Sequence, residues 1–244
     1  MTITPAALTR AAGIAAVAAG ALFIGVQIGH PEVNATSITT TNVYIRDSLK
    51  LLMAVLALVG ITGMYLSQVR RNGIIGLIGY VLLAAAYLLI ACGVYTAAYV
   101  FPDFAAANTA QMNDILTVDT GRGSAEGDIG VLGTVIQVRG ILYLAGGLLF
   151  GIALFRAKVL ARWATILLAL GGLVSILLSQ MPDAFYRFLA WPNGIAMIGL
   201  GYSLWRSART NTEMQDAEAP TTVPRQGASS DDSRMTSDTR EHAG

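Results

Sequence analysis

The run of apolar residues from Val131 to Phe155 constrains the fold of this chain more than any other segment. A helix rises about 1.5 Å per residue and the hydrocarbon core of a bilayer is about 30 Å thick, so about 20 residues cross it. The run is long enough, and it predicts a transmembrane helix. Arg156, Lys158 and Arg162 follow it directly, and such clusters mark the cytoplasmic end of a span.

The composition of the whole chain indicates the same class of protein. Of 244 residues, 54% are hydrophobic and 13% are charged, whereas about a quarter of an ordinary soluble domain is charged. The apolar residues stand in long blocks rather than in a stripe that repeats about every 3.6 residues. That pattern is typical of membrane spans.

Charge and residue counts exclude several classes of function. The formal net charge is +1, which gives no electrostatic basis for binding nucleic acid. Cys92 is the single cysteine and forms no internal disulfide, while His30 and His242 are too few for a histidine-based metal centre. We therefore expect no nucleic acid partner, no metal site and no cofactor.

Six apolar segments predict an all-α, six-helix integral membrane bundle over residues 1–206. The predicted spans are about 11–29, 48–68, 74–100, 131–155, 160–180 and 184–205. A cleaved signal peptide is the alternative for the first segment, although its apolar stretch exceeds the roughly 7–15 residues of a usual signal. In the sixth segment, Pro192 predicts a kink or break after the first two turns.

Basic side chains sort to one side of these spans. Four clusters fall on one face if the six spans alternate: Arg10, Arg70 with Arg71, the trio after the fourth span, and Arg206 with Arg209. Because short cytoplasmic loops collect Lys and Arg, we expect a multi-pass protein of the cell (inner) membrane with both termini in the cytoplasm. Residues 101–130 then form an acidic extracytoplasmic loop, and the polar residues 207–244 form a disordered cytoplasmic tail.

Arg139 is the one charge inside the fourth span. It lies 17 residues before Arg156, about 25 Å along the helix, and therefore roughly 5 Å inside the far boundary of the hydrocarbon core. At that depth the guanidinium can reach the headgroups or form a structural ion pair. The alternative is a role in a polar functional site.

Other polar side chains gather at the depth of Arg139. Counting back from the cytoplasmic clusters reaches His30, Asp47 with Lys50, and Asp183. One interpretation is that every helix end is polar. The other is an outward-facing pocket in which Arg139 pairs with Asp47 or Asp183 near His30. Such a pocket would bind an anionic headgroup or a small acid, because arginine makes bidentate contacts to carboxylate and phosphate.

Small residues on the helices predict close packing. Gly147 and Gly151 form a GxxxG pair with Gly146 beside it, and this spacing lets another helix approach closely. We expect the lipid bilayer as the surrounding partner, with a protein partner or a second copy of the chain meeting these small-residue faces.

Two segments resemble those of uncharacterised multi-span membrane proteins of actinobacteria. They are LTRAAGIAAVAAGALFIGVQIGHP and RAKVLARWATILLALGGL. The resemblance covers residues 8–206 and not the tail. It implies an actinobacterial inner-membrane protein, and it brings no activity or catalytic residue.

Three functions follow as hypotheses. The first is a non-catalytic membrane protein that binds a partner or lipid, since the sequence has no catalytic motif. The second is a small-solute or ion transporter or channel with an outward-facing site near Arg139, which needs a polar path across the bilayer. The third is a membrane-embedded lipid enzyme, which needs a convergent set of catalytic groups, and for which the sequence offers only His30 with Asp47.

Overall fold

The structure is a computed structural model that describes residues 4–179, 188 and 190–218, with the side chains of 175–179 and 211–218 left out. The described part is helical and contains no β-strand, which confirms the all-α prediction. The helices are α1 (Pro5–Gly25), α2 (Thr41–Leu66), α3 (Val69–Tyr99), α4 (Phe101–Ala105), α5 (Thr109–Asp119), α6 (Val131–Ala157), α7 (Arg162–Ser179) and α8 (Ala190–Glu218), with a 3-10 turn at Ser37–Thr39.

Threonine caps start the first two long helices earlier than the apolar runs predict. The Thr4 hydroxyl accepts a hydrogen bond from the Ala7 N–H at 3.2 Å, and the Thr40 hydroxyl accepts a long one, 3.5 Å, from the Val43 N–H. Such side chains satisfy amide groups that lack a partner in the first turn of a helix. The polar residues between each cap and its apolar run are therefore helical too.

Six long helices pack side by side as a closed ring. Each contacts the next in the order α1, α2, α3, α6, α7 and α8, and α8 contacts α1. Neighbours are antiparallel: Ala12 near the start of α1 lies beside Gly63 near the end of α2, and Gly76 near the start of α3 lies beside Ala153 near the end of α6. The starts of α1, α3 and α7 therefore share one end of the bundle with the ends of α2, α6 and α8.

The ring closes where α1 and α8 touch backbone to backbone. A Cβ placed on Gly13 would lie 2.8 Å from the carbonyl oxygen of Gly201, and a Cβ placed on Gly201 would lie 2.6 Å from the carbonyl oxygen of Gly13. Gly20 and Gly194 oppose each other in the same way one heptad along. No side chain larger than hydrogen fits there, so these four glycines set the distance between the two helices.

Apolar side chains fill the middle of the ring. Ala16, Ala57, Ile61, Phe150 and Leu200 are each 0% exposed, and they belong to one core to which all six long helices contribute. Around the outside, only 28–33% of the most apolar stretch of α1, α2, α3 and α6 is buried. Many large apolar side chains on these helices are exposed, whereas a soluble monomer rarely exposes large contiguous apolar patches, so this is a membrane protein.

Not all six long helices are long and apolar enough, in their described parts, to cross a membrane. Among the described residues, α1, α2, α3 and α6 are long and apolar enough to cross a membrane. The described apolar stretch of α7 is shorter, at Arg162–Val174. In α8, Pro192 and Asn193 near its start and the polar residues from Arg206 onwards lower the mean hydropathy.

A small second core covers one end of the ring, which we call the cap end. The 3-10 turn, α4 and α5 pack there around Ile38, Val43, Met112 and Leu116. Within residues 101–130, the apolar side chains thus fold two short helices, α4 and α5, and the irregular part is limited to residues 106–108 and 120–130. The opposite end, which we call the basic end, carries the arginine clusters described above.

The structure of α8 bears on two sequence-based predictions. The helix begins at Ala190, so Pro192 lies in its first turn, where its missing N–H has no partner to lose. Residues 180–187 and 189, where the predicted kink or break would begin, lie outside the described part, and that prediction stays untested. The tail does not become irregular at residue 207, since α8 continues to Glu218. The sequence after Arg206 contains neither glycine nor proline until Pro220, so nothing stops the helix earlier.

Candidate functional site

Arg139 forms an ion pair with the last residue of α5. Its Nη1 lies 2.8 Å from the Asp119 carboxylate, and its Nη2 donates a long hydrogen bond, 3.4 Å, to the Asp119 carbonyl oxygen. Gly93 of α3 makes room for this arrangement, because a Cβ placed there would lie 3.1 Å from Nη1. The cap helix α5 thus supplies the counter-charge for Arg139, the arginine that lies within the apolar part of α6.

The ion pair lies on the wall of an otherwise mostly apolar cavity. This cavity has a volume of about 160 Å³ and lies between α3, α5 and α6. The apolar side chains that line it are Leu89, Phe101, Ile115, Leu132, Val135 and Ile136. We call it the Arg139 cavity. Its volume is about five times the share of one water molecule in the liquid, about 30 Å³, and it combines an apolar wall with a paired cation.

A second polar cluster lies between the end of α1 and the start of α2. The Lys50 ammonium donates to the Asp47 carboxylate at 2.7 Å and to His30 Nε2 at 3.0 Å. His30 Nδ1 donates to the carbonyl oxygen of Pro31 at 2.8 Å. Because that carbonyl only accepts, the proton sits on Nδ1 and the lone pair of Nε2 faces Lys50.

Burial keeps His30 neutral at pH 7. His30 is 8% exposed and Asp47 is 4% exposed. Burial of the imidazole, and secondly the nearby Lys50 ammonium, lower the pKa of His30 from 6.5 to about 4. The buried carboxylate of Asp47 is in turn compensated by Lys50. The cluster is therefore a set of mutually satisfied groups rather than a poised acid and base.

A small polar cavity adjoins this cluster. It measures about 80 Å³, and its polar lining comes from Gln27, His30, Lys50, Thr120 and Arg122. At about 30 Å³ per molecule it has room for two or three waters. Arg122 also lies 3.4 Å from the carboxylate of Glu32, so both cations at this cavity have an acidic neighbour.

Arg46 fixes the chain that leads into this cluster. Its Nη1 donates to the carbonyl oxygens of Val26 and Ile28 at 2.8 and 3.0 Å, and its Nη2 donates to that of Gly29 at 3.1 Å. These carbonyls follow the end of α1, where helix geometry leaves them without partners. Gly29 has a φ of 64°, which turns the chain towards His30.

The structure brings some of the predicted residues together and separates others. His30 and Asp47 meet through Lys50, whereas Arg139 lines a different cavity. The expected Arg139–Asp47 pair is replaced by Arg139–Asp119 and Lys50–Asp47. Asp183 lies outside the described residues. Ligand binding at these positions stays a prediction.

The two partners of these residues differ in whether the sequence reveals them. Asp119 is 20 residues from Arg139, and only the folding of α5 over the bundle joins them. Lys50 is visible as an i, i+3 neighbour of Asp47, a spacing that places both on one helix face. Within the described part of the chain, no three His, Cys, Asp or Glu side chains are grouped to hold a metal ion.

Comparison with protein families, with curated proteins and with solved structures finds no match. This agrees with a resemblance to a group that has no characterised member. The actinobacterial source remains a prediction.

Proposed function

We propose that this chain is a six-span protein of the cell membrane that binds an anionic amphiphile, a lipid or a lipid-like acid, in the Arg139 cavity and catalyses no reaction. The observation that carries the proposal is the composition of that cavity, a mostly apolar wall with a guanidinium on it. An apolar pocket with a few placed polar groups is the usual form of a small-molecule site.

The antiparallel ring supports six spans with both termini in the cytoplasm. Although α7 and α8 are less apolar, they complete the ring between α6 and α1. All four basic clusters lie at one end, and the cap lies at the other. Because basic residues mark the cytoplasmic side, we expect the cap end and the Arg139 cavity to lie on the outside.

The geometry around Arg139 favours a ligand with an acidic head. A guanidinium has five N–H donors in a planar fork, and Asp119 takes one short contact and one long one. The Arg139 side chain is 18% exposed and that of Asp119 is 38% exposed. A ligand carboxylate or phosphate can therefore approach the remaining donors while its apolar part packs on Leu132 and Ile136.

The interior of the ring favours binding over transport. A transporter or channel needs a polar path past the middle of the bilayer, and the core residues there include Ala57, Ile61 and Phe150, all fully buried. A lipid enzyme built on His30 and Asp47 is disfavoured because Lys50 stands between them and occupies the lone pair that a general base would use.

Paired substitutions test the binding proposal. The probe is a fluorescent long-chain fatty acid, compared with its uncharged methyl ester, added to the protein in zwitterionic nanodiscs. We expect Arg139→Gln to weaken binding of the acid by about ten-fold and to leave the ester unchanged. Asp119→Asn should strengthen binding of the acid, because it removes the competing carboxylate.

Arg122→Gln is the matched control, since it removes an arginine at the same end from a different cavity. Its affinity for the acid should equal that of the wild type. Equal binding of the acid to the wild type and to a folded Arg139→Gln variant would refute the proposal.

A further inference from the structure

A third cavity lies at the basic end, between the start of α3 and the end of α6. Its volume is about 340 Å³. Arg71 and Arg156 line it from the two helices, and Asn72 and Gly73 form part of its wall. It is remote from the Arg139 cavity, which lies at the opposite end of the same two helices.

The backbone of α3 contributes to this cavity. Gly73 has a φ of 58° and a ψ of −165°, which interrupts the helix; this conformation is essentially restricted to glycine. The helix restarts at Ile74, and the first N–H groups after such a restart have no partner within the helix. Helix N-termini attract anions because these donors and the helix dipole point outward.

The two arginines at the cavity have no acidic partner among the described residues. Among the described residues, neither Arg71 nor Arg156 forms an ion pair with a carboxylate, and both are exposed. Asn72 is only 5% exposed, yet its Oδ1 atom has no hydrogen-bond donor. The site therefore has two unneutralised cations and a buried amide oxygen that lacks a partner.

Apolar surface begins directly beside the cavity. Ile74 is 76% exposed, and further along the same two helices Ile78 is 47% and Ile152 is 38% exposed. These side chains belong to helices that are long and apolar enough to cross a membrane. A ligand with its charge at the arginines thus has an apolar surface on which to lay hydrocarbon chains. Basic pockets between transmembrane helices on the cytoplasmic side bind anionic headgroups in this way.

We infer that Arg71, Arg156 and the start of α3 bind the phosphate of an anionic glycerophospholipid from the leaflet at the basic end. The arginines hold the phosphate in charge-assisted hydrogen bonds. The acyl chains follow the exposed isoleucines. This inference depends on the chain spanning a membrane and not on ligand binding in the Arg139 cavity.

The test measures thermal unfolding of the full chain in zwitterionic detergent with added lipid. Phosphatidylglycerol should raise the unfolding temperature to a plateau, because a ligand of the folded state stabilises it. Phosphatidylcholine and inorganic phosphate should raise it little. In Arg71→Gln/Arg156→Gln, the concentration of phosphatidylglycerol that gives half the rise should increase by about ten-fold or more.

Arg70→Gln/Arg206→Gln is the matched control, because it removes the same charge at the same end from residues outside the cavity. Its response should match that of the wild type. Both double variants should unfold at the wild-type temperature without lipid, since the substituted side chains are exposed, and Arg156→Gln alone provides a milder second variant. If that concentration of phosphatidylglycerol increased equally in the two double variants, the lipid would be held only by diffuse attraction to the basic end. If inorganic phosphate raised the unfolding temperature as much as phosphatidylglycerol does, the site would bind a soluble oxyanion. Either result overturns the inference.

Discussion

The protonation of His30 is determined by its burial and by the charged residues around it. It lies beside Lys50 and Asp47 on α2, with Arg46 nearby on the same helix and Arg122 across the small polar cavity. Burial and the adjacent ammonium both disfavour a second proton on the ring. The residue is therefore a neutral hydrogen-bond acceptor for Lys50 over the usual physiological range.

Stability should fall as the pH is lowered from 6.5 to 4. In the unfolded chain His30 titrates near 6.5, and in the folded chain its pKa is about 4. Between these values the unfolded chain binds more protons, so acid favours unfolding there. Unfolding temperatures measured across this window should show the fall in the wild type and a smaller fall in His30→Gln. An identical slope in both proteins would contradict the assignment.

The ion-pair and hydrogen-bond partners of individual side chains are poorly predictable from the sequence. The depth of Arg139, His30 and Asp47 follows from counting residues along helices, and the structure does place them at the cap end. The partner of Arg139 does not follow, because Asp119 reaches it only after α5 has packed on the bundle. Similarly, the bonds from Arg46 to the end of α1 depend on the turn at Gly29, which no periodicity reveals.

Glycines on one face of α1 allow a neighbouring helix to pack closely against it. Gly13 and Gly20 lie on the face that meets Gly194 and Gly201 of α8. On α6, Gly146 meets Leu83 of α3, and Gly151 meets Ala169 of α7. The small-residue faces predicted to meet a partner or second copy are thus, at these positions, occupied within the chain.

Gly20→Val should destabilise the protein by about 1–3 kcal/mol, the usual range for overpacking. The added side chain would collide with the Gly194 backbone and Ile198, and backbone atoms cannot move aside as a flexible side chain can. The matched control is Gly140→Val on α6, where a Cβ meets no atom within 4 Å. Unfolding in mixed micelles titrated with a denaturing detergent measures both. Equal losses in the two variants would argue against tight α1–α8 contact.

At the scale of elements, apolar runs predict where the long helices lie and polar features determine where they end. Thr4 and Thr40 move two helix starts upstream, and α8 continues past Arg206 because no helix breaker follows. The cap is not predictable from periodicity, because α4 and α5 are short and contain few apolar residues. Those residues form a core only together with Ile38 and Val43, which lie elsewhere in the sequence.

The whole molecule is a ring of antiparallel helices with unlike ends. Among the described residues, one end is basic and carries no short helix, and the other carries a cap with both acidic and basic side chains. Composition alone predicts the membrane class and the all-α fold, and charge clusters predict which helix ends share a side. Closure of the ring is not predictable in that way, because it depends on glycines more than 170 residues apart in the sequence.

Reporter fusions should distinguish six spans from four. We expect a periplasmic reporter to be active after Asn113 and inactive after Thr210, because these positions lie at opposite ends of the bundle. A fusion after Asp183 is the sharper test. It should be active if α7 and α8 cross the membrane, and inactive if only α1, α2, α3 and α6 do. An active fusion after Thr210 would reverse the proposed orientation.

Contact between α1 and α8 has a consequence for biosynthesis. Of the described helices, α1 leaves the ribosome first and α8 leaves it last. Until α8 arrives, the glycine face of α1 has no neighbour of its own chain, and lipid packs poorly against its bare backbone. An unfinished bundle is thus open along one seam, which only the last of the described helices closes.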